Sequence, residues 1–127
     1  MSRVVHFELP STDIKASRKF YETVLGWKFE KYPGPMDYWL ISTGDPSAPG
    51  IDGGIDGGLG GAANDIKGTV NTVGVGDIDE VLKKVLANGG QIIMPRGEIP
   101  GVGLLAYVRE PGGAVFGVIQ PFPDGMM

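Results

Sequence analysis

The feature that most restricts how this chain can fold is a repeat of its own pattern at an offset of 64 residues. Asp13 and Asp77 each precede a segment with helical spacing of apolar residues, and Gly26 and Gly90 each open the strand-like segment that follows. A recurrence of whole segments says more about the fold than any single motif. In the first half, residues 4–9 read as a strand that Pro10 ends. Ser11, Thr12 and Asp13 offer a helix N-cap. Ile14, Ser17, Phe20, Tyr21, Val24 and Leu25 then recur with helical period, so one face is apolar and predicted to be covered. Trp27, Phe29, Phe20 and Tyr21 are expected in the core between that helix and a sheet. Residues 27–32 and 38–43 read as strands separated by Pro33-Gly34-Pro35, and residues 50–61 as a glycine-rich strand passing into a linker.

The second half repeats the order. Residues 70–75 read as a strand, Asp77 with Glu80 as a capping box, and Ile78, Val81, Leu82, Val85 and Leu86 as an apolar stripe ended by Gly89-Gly90. Residues 91–94, 104–108 and 114–119 follow as strands. Each half is therefore βαβββ, and neither buries its sheet face alone. The expectation is one α+β domain over residues 1–127, with module one at 3–58, a linker at 59–67 and module two at 68–121.

Composition excludes several function classes. The net charge is −4 with no basic run, which disfavours a nucleic-acid partner because phosphate affinity comes from clustered Lys and Arg. The chain has no cysteine, so disulfides, thiolate nucleophiles and Cys-ligated zinc are ruled out. No stretch approaches a membrane span or a signal-peptide core, and a soluble cytoplasmic protein is expected. The run at 50–61 is not a Walker loop, since no Lys-Ser or Lys-Thr follows it.

Val5-His6-Phe7-Glu8, Phe20-Tyr21-Glu22-Thr23-Val24-Leu25-Gly26-Trp27, Val75-Gly76-Asp77-Ile78 and Glu110-Pro111-Gly112-Gly113-Ala114-Val115-Phe116 together resemble the vicinal-oxygen-chelate superfamily, which includes glyoxalase I, bleomycin-resistance proteins and extradiol dioxygenases. The resemblance covers residues 4–121. It implies two modules forming a cupped mixed sheet with the helices on the convex side, a small-molecule pocket on the concave side, and a homodimer.

It also implies four metal-ligand positions, two per module. Carried over by spacing, they fall on His6, Gly54, Val70 and Gly117. Only the first has a donor side chain, so no metal and no other cofactor is expected. Asp52 or Asp56 would have to shift register to rescue a site. His6 is the one histidine of the chain. It reads either as a pocket residue that binds or moves a proton, or as a remnant of the ancestral ligand. Glu8 shares its face and reads either as a carboxylate that raises the His6 pKa or as a solvated charge. The candidate catalytic residues are thus His6 and Glu8. The candidate ligand-binding set is His6, Glu8, Tyr38, Trp39, Val70, Thr72, Tyr107 and Gly117, with the choice between Tyr38 and Trp39 for the inner face left open. Three functions follow, in order: a metal-independent binding protein for a small, mostly apolar ligand; a glyoxalase-like metal-dependent lyase; and a metal-free enzyme using His6 as general acid/base.

Overall fold

A computed structural model describes residues 2–57 and 68–125. The elements are β1 (Arg3–Pro10), α1 (Ile14–Leu25), β2 (Lys28–Lys31), β3 (Tyr38–Ser42), β4 (Gly53–Asp56), β5 (Val70–Gly74), α2 (Ile78–Ala87), β6 (Gln91–Ile99), β7 (Gly103–Arg109) and β8 (Val115–Pro121). This is the βαβββ order twice, in an α+β fold. The predicted linker and the last residue of predicted module one lie outside the described residues. The chain divides into an N-terminal unit, His6–Thr69, and a C-terminal unit made of Met1–Val5 with Val70–Met127.

The two units use the same ladders. In the first, β4 pairs parallel to β1 and antiparallel to β3, and β2 pairs antiparallel to β3. In the second, β8 pairs parallel to β5 and antiparallel to β7, and β6 pairs antiparallel to β7. Glu8 stands opposite Gly54 in one parallel ladder, and Thr72 stands opposite Gly117 in the other. An offset of 64 carries Glu8 onto Thr72 and one of 63 carries Gly54 onto Gly117, so the two parallel ladders place equivalent residues opposite each other.

Helix termini follow the residues that sequence singled out. The Asp13 side chain accepts from the Ala16 amide, and Gly26 takes a left-handed φ of 71° where a Cβ would be strained. Asp77 accepts from the Glu80 amide at 3.2 Å. Gln120 Oε1 satisfies a further orphan donor at the α2 start, the Ile78 amide, at 3.0 Å.

The helices differ in how they pack. α2 buries Ile78 and Leu82 against Ala106, Val108 and Val118, and this cluster is the core of the C-terminal unit. α1 has no buried residue. It is held by partly buried residues: Tyr21 stacks on Trp27 with ring centroids 5.1 Å apart, and the Arg18 guanidinium lies 3.8 Å from the Trp39 ring centre. Trp27, Phe29 and Tyr21 do form an aromatic cluster with Phe7. Phe20 does not join the core as expected: it is 58% exposed, because it lies about 100° round the helix from Tyr21, whose ring it meets edge-on with centroids 5.3 Å apart.

β6 is longer than residues 91–94. It runs through Pro95 to Ile99 by means of irregularities between Ile92 and Met94 and between Met94 and Gly97. A proline removes a donor from a ladder, and a bulge accommodates that loss at an edge. Ile78→Ala should cost about 2–4 kcal/mol by urea unfolding, since Ile78 is fully buried and its loss opens a cavity between α2 and the sheet.

Candidate functional site

Strand alternation divides each sheet face. In the N-terminal unit, Phe7, Phe29, Trp39 and Gly53 lie on the α1 side, and His6, Glu8, Tyr38, Gly54 and Asp56 lie on the other. The open choice between Tyr38 and Trp39 is thereby settled. Tyr38 faces His6, whereas Trp39 lies beneath Arg18 on the helix side and is not brought together with His6.

The glycines of β4 explain how the aromatic rings fit. A Cβ on Gly53 would stand 2.6 Å from the Phe7 ring on one face. On the other face, a Cβ on Gly54 would coincide with the Tyr38 hydroxyl. Adjacent glycines thus let two rings from neighbouring strands lie flat across the same strand. The first half of the glycine-rich run, which reads as a strand, is β4 and serves as a seat for aromatic side chains.

Tyr38 Oη and His6 Nε2 share a hydrogen bond of 2.6 Å. Tyr32 buttresses the arrangement. It is buried, its ring meets Tyr38 edge-on with centroids 6.2 Å apart, and its amide donates to the Tyr38 carbonyl at 2.9 Å. Sequence reasoning passed over Tyr32. The signal was Pro33-Gly34-Pro35, whose Gly34 has no side chain where the Tyr32 ring folds back.

The site is buried and acidic. His6 and Glu8 are each 7% exposed and Asp56 is 5% exposed. Glu8 is therefore a buried carboxylate and not a solvated one. Burial lowers the His6 pKa from 6.5 to about 4, against a smaller raising effect from Asp52. The expectation that a neighbouring carboxylate lifts the histidine is reversed, because removing the imidazolium from water outweighs the attraction. Burial first, then the negative charges of Glu8 and Asp56, push the Tyr38 phenol well above its ordinary value. At neutral pH the central pair is a neutral imidazole and a neutral phenol.

In the C-terminal unit the corresponding face carries Val70, Thr72, Tyr107, Leu105 and Gly117. Val70, Thr72 and Tyr107 are all buried. Gly117 lies between Thr72 and Tyr107 in the ladders, and a Cβ there would meet Thr72 Oγ1 at 3.0 Å and the Tyr107 ring at 3.4 Å.

The donor set does not fit a resident divalent ion. Gly54, Val70 and Gly117 offer no donor side chain. The His6 ring nitrogen is engaged by Tyr38, and the exposed Asp52 side chain accepts from the Thr43 amide at 2.9 Å. Among the described residues no group of three or more His, Cys, Asp or Glu side chains is arranged to hold a metal. Ligand number and geometry set affinity for divalent ions, and one histidine is too few.

The paired βαβββ units, the first with His6 on its first strand and a glycine seat on the strand beside it, define an α+β class built by duplication. Residues 3–44 match the family described as bleomycin resistance protein-like N-terminal. A Mycobacterium tuberculosis protein named "Putative glyoxylase CFP32" is 31% identical over 114 residues, which are 89% of this chain and 43% of that protein. The chain therefore spans less than half the length of that relative. The fold is shared with a glyoxalase/bleomycin resistance protein/dioxygenase superfamily member from Vibrio splendidus, at a TM-score of 0.64 and 22% identity over 96% of this chain and 100% of that one. It is shared also with methylmalonyl-CoA epimerase from Mycobacterium tuberculosis, at a TM-score of 0.67 and 14% identity over 94% and 87% of the respective chains. The chain belongs to the glyoxalase/bleomycin-resistance, or vicinal-oxygen-chelate, superfamily.

Two outcomes follow from the site. Unfolded, His6 has its ordinary pKa of 6.5; folded, it is about 4. The unfolded chain thus takes up the proton first as pH falls. The His6 contribution is complete above 6.5 and is lost as pH drops towards 4, on the order of 3 kcal/mol in all. Urea unfolding of wild type and His6→Gln across that range should show the wild-type loss and a flatter variant. Gly54→Ala should cost about 1–3 kcal/mol in the wild-type background and markedly less when combined with Tyr38→Ala, since the clash is with that hydroxyl.

Proposed function

We propose that this chain is a metal-independent binding protein for a small, mostly apolar molecule, held against the strand face that carries His6, Glu8 and Tyr38 in the N-terminal unit or the one that carries Val70, Thr72, Tyr107 and Gly117 in the C-terminal unit. One observation supports it above the others: Tyr38 engages the His6 ring nitrogen and fills the side-chain space at Gly54. A phenol held neutral beside a neutral imidazole supplies short-range hydrogen bonding without a strong field. Apolar and aromatic walls with a few placed polar groups are the usual make-up of a small-molecule site. A soluble cytoplasmic setting is part of the same proposal. The described residues contain no helix long and apolar enough to cross a membrane.

A second reading is enzymatic, and the name of the mycobacterial relative favours it. It takes two forms, a glyoxalase-like metal-dependent lyase or a metal-free enzyme with His6 as general acid/base. The first needs donors that positions 54, 70 and 117 do not provide. The second needs a base matched to working pH, and an imidazole at about 4 is a poor proton acceptor near neutrality.

The test pairs metal titration with a ligand screen. Purified protein is titrated with nickel, zinc and manganese by calorimetry, and screened by thermal shift against small aromatic and aliphatic compounds with and without EDTA. Sub-stoichiometric metal uptake is expected, together with a compound that raises the Tm equally in both conditions. One equivalent of a divalent ion, bound by wild type and lost in His6→Ala, would overturn the proposal.

A further inference from the structure

On the side of the C-terminal sheet away from α2, two polar side chains have no partner among the described residues. Thr72 is 1% exposed, and its Oγ1 makes no hydrogen bond. Such a hydroxyl costs stability, since it has lost water without gaining a protein partner, and buried polar groups are nearly always paired. Gly117 leaves it room to turn: a Cβ there would stand 3.0 Å from Oγ1. Arg109 lies two residues beyond Tyr107 on β7 and opposite Val115 of β8, hence on the same side as Tyr107, Gly117 and Thr72. It is half-buried, and its guanidinium is unpaired. It is also the one charged residue on β5, β7 and β8. On β6, Arg96 pairs with Asp79 of α2, and Glu98 stands opposite Leu104 on the α2 side.

The matching face of the N-terminal unit is built the opposite way. His6 and Tyr38 engage each other, and the buried charged side chains are carboxylates, Glu8 and Asp56. Negative charge in a buried setting repels an anion strongly. The C-terminal face offers a cation and an unengaged hydroxyl, with no carboxylate on β5, β7 or β8. An anionic oxygen suits both groups, because a guanidinium binds a carboxylate through paired N–H donors and a hydroxyl donates to oxygen. One guanidinium balances a single negative charge, so a carboxylate fits and a dianionic phosphate does not. Two residues of strand span about 7 Å, a distance that an arginine side chain reaches across.

We propose, on the footing of the binding function above, that the C-terminal face is the ligand site and that its ligand is an apolar carboxylic acid in ionised form. Arg109 takes the carboxylate, and Thr72 donates a hydrogen bond to a ligand oxygen. The apolar body lies along Val70, Leu105 and Tyr107, all buried. The stability that Thr72 forgoes in the free protein is recovered when that oxygen is bound.

Calorimetry at neutral pH is run with phenylacetate, hydrocinnamate and octanoate, and with the neutral amide of each. The full chain is compared as wild type, Arg109→Gln, Arg109→Lys, Thr72→Val and Thr72→Ser, with far-UV circular dichroism to confirm the fold. At least one acid is expected to bind about tenfold or more tighter than its amide, a preference that Arg109→Gln abolishes and Arg109→Lys keeps in part. Thr72→Val is expected to raise the Tm of the free protein while weakening the acid about fivefold, and Thr72→Ser to keep most of the affinity. A merely structural Thr72 would not move stability and affinity in opposite directions. Amides bound as tightly as acids, no acid bound at all, acid affinity unchanged in Arg109→Gln or Thr72→Val, or a lower Tm in Thr72→Val would each overturn the assignment. An amide that binds without metal as tightly as its acid leaves the broader binding function standing, whereas an equivalent of metal lost in His6→Ala removes that function itself.

Discussion

The N-terminal unit is organised by the hydrogen bond between Tyr38 and His6. For that contact to exist, the phenol must cross β4, and it crosses where Gly54 has no side chain. The loop from residue 32 to 38 must then close tightly, and Tyr32 and Gly34 close it. Burial of the pair fixes its charge state: a charge there would lose solvation, so imidazole and phenol both remain neutral. Glu8 and Asp56 add buried negative charge around them, which keeps the phenol protonated. One contact thereby accounts for a glycine, a turn, and the protonation of the central pair.

Duplication gave the chain two similar scaffolds, and the residues on them have diverged. On the inner face, position 54 is occupied in space by a tyrosine from the neighbouring strand, while its counterpart at 117 sits beside the Thr72 hydroxyl and the Tyr107 ring. On the outer face, α2 encloses an aliphatic core and α1 rests on aromatic rings and a guanidinium. The ladders are shared and the side chains are not. Function in such a fold belongs to the side chains grafted onto it, and two sites on one architecture need not do the same work.

Much of the fold was legible because it rests on periodicity and punctuation. Asp13, Gly26 and Asp77 mark helix ends through capping chemistry that depends only on neighbouring residues. The alignment of Gly54 with Gly117 came from matching Gly50 to Gly113, an offset of 63, and the ladders place the two glycines opposite equivalent residues. The site was less legible because its decisive contact joins residues 32 positions apart across an irregular turn. Parity within one strand cannot say whether Tyr38 or Trp39 faces His6; the register between strands does. The protonation of His6 was misjudged because a local carboxylate was weighed and burial was not. Phe20 was misplaced because an apolar residue at helical spacing reads as core whichever side of a broad stripe it occupies.

β2 and β6, each a terminal strand of its unit, are poor templates for another chain. β2 is four residues long and begins and ends in lysine. β6 carries a proline and two breaks in its pairing. A strand arriving from outside would find few regularly spaced donors and acceptors at either border, which discourages fibrillar growth and accidental sheet extension. A chain with borders of this kind can be abundant without polymerising through its sheets, and any specific association it makes is left to the side-chain relief of its surfaces.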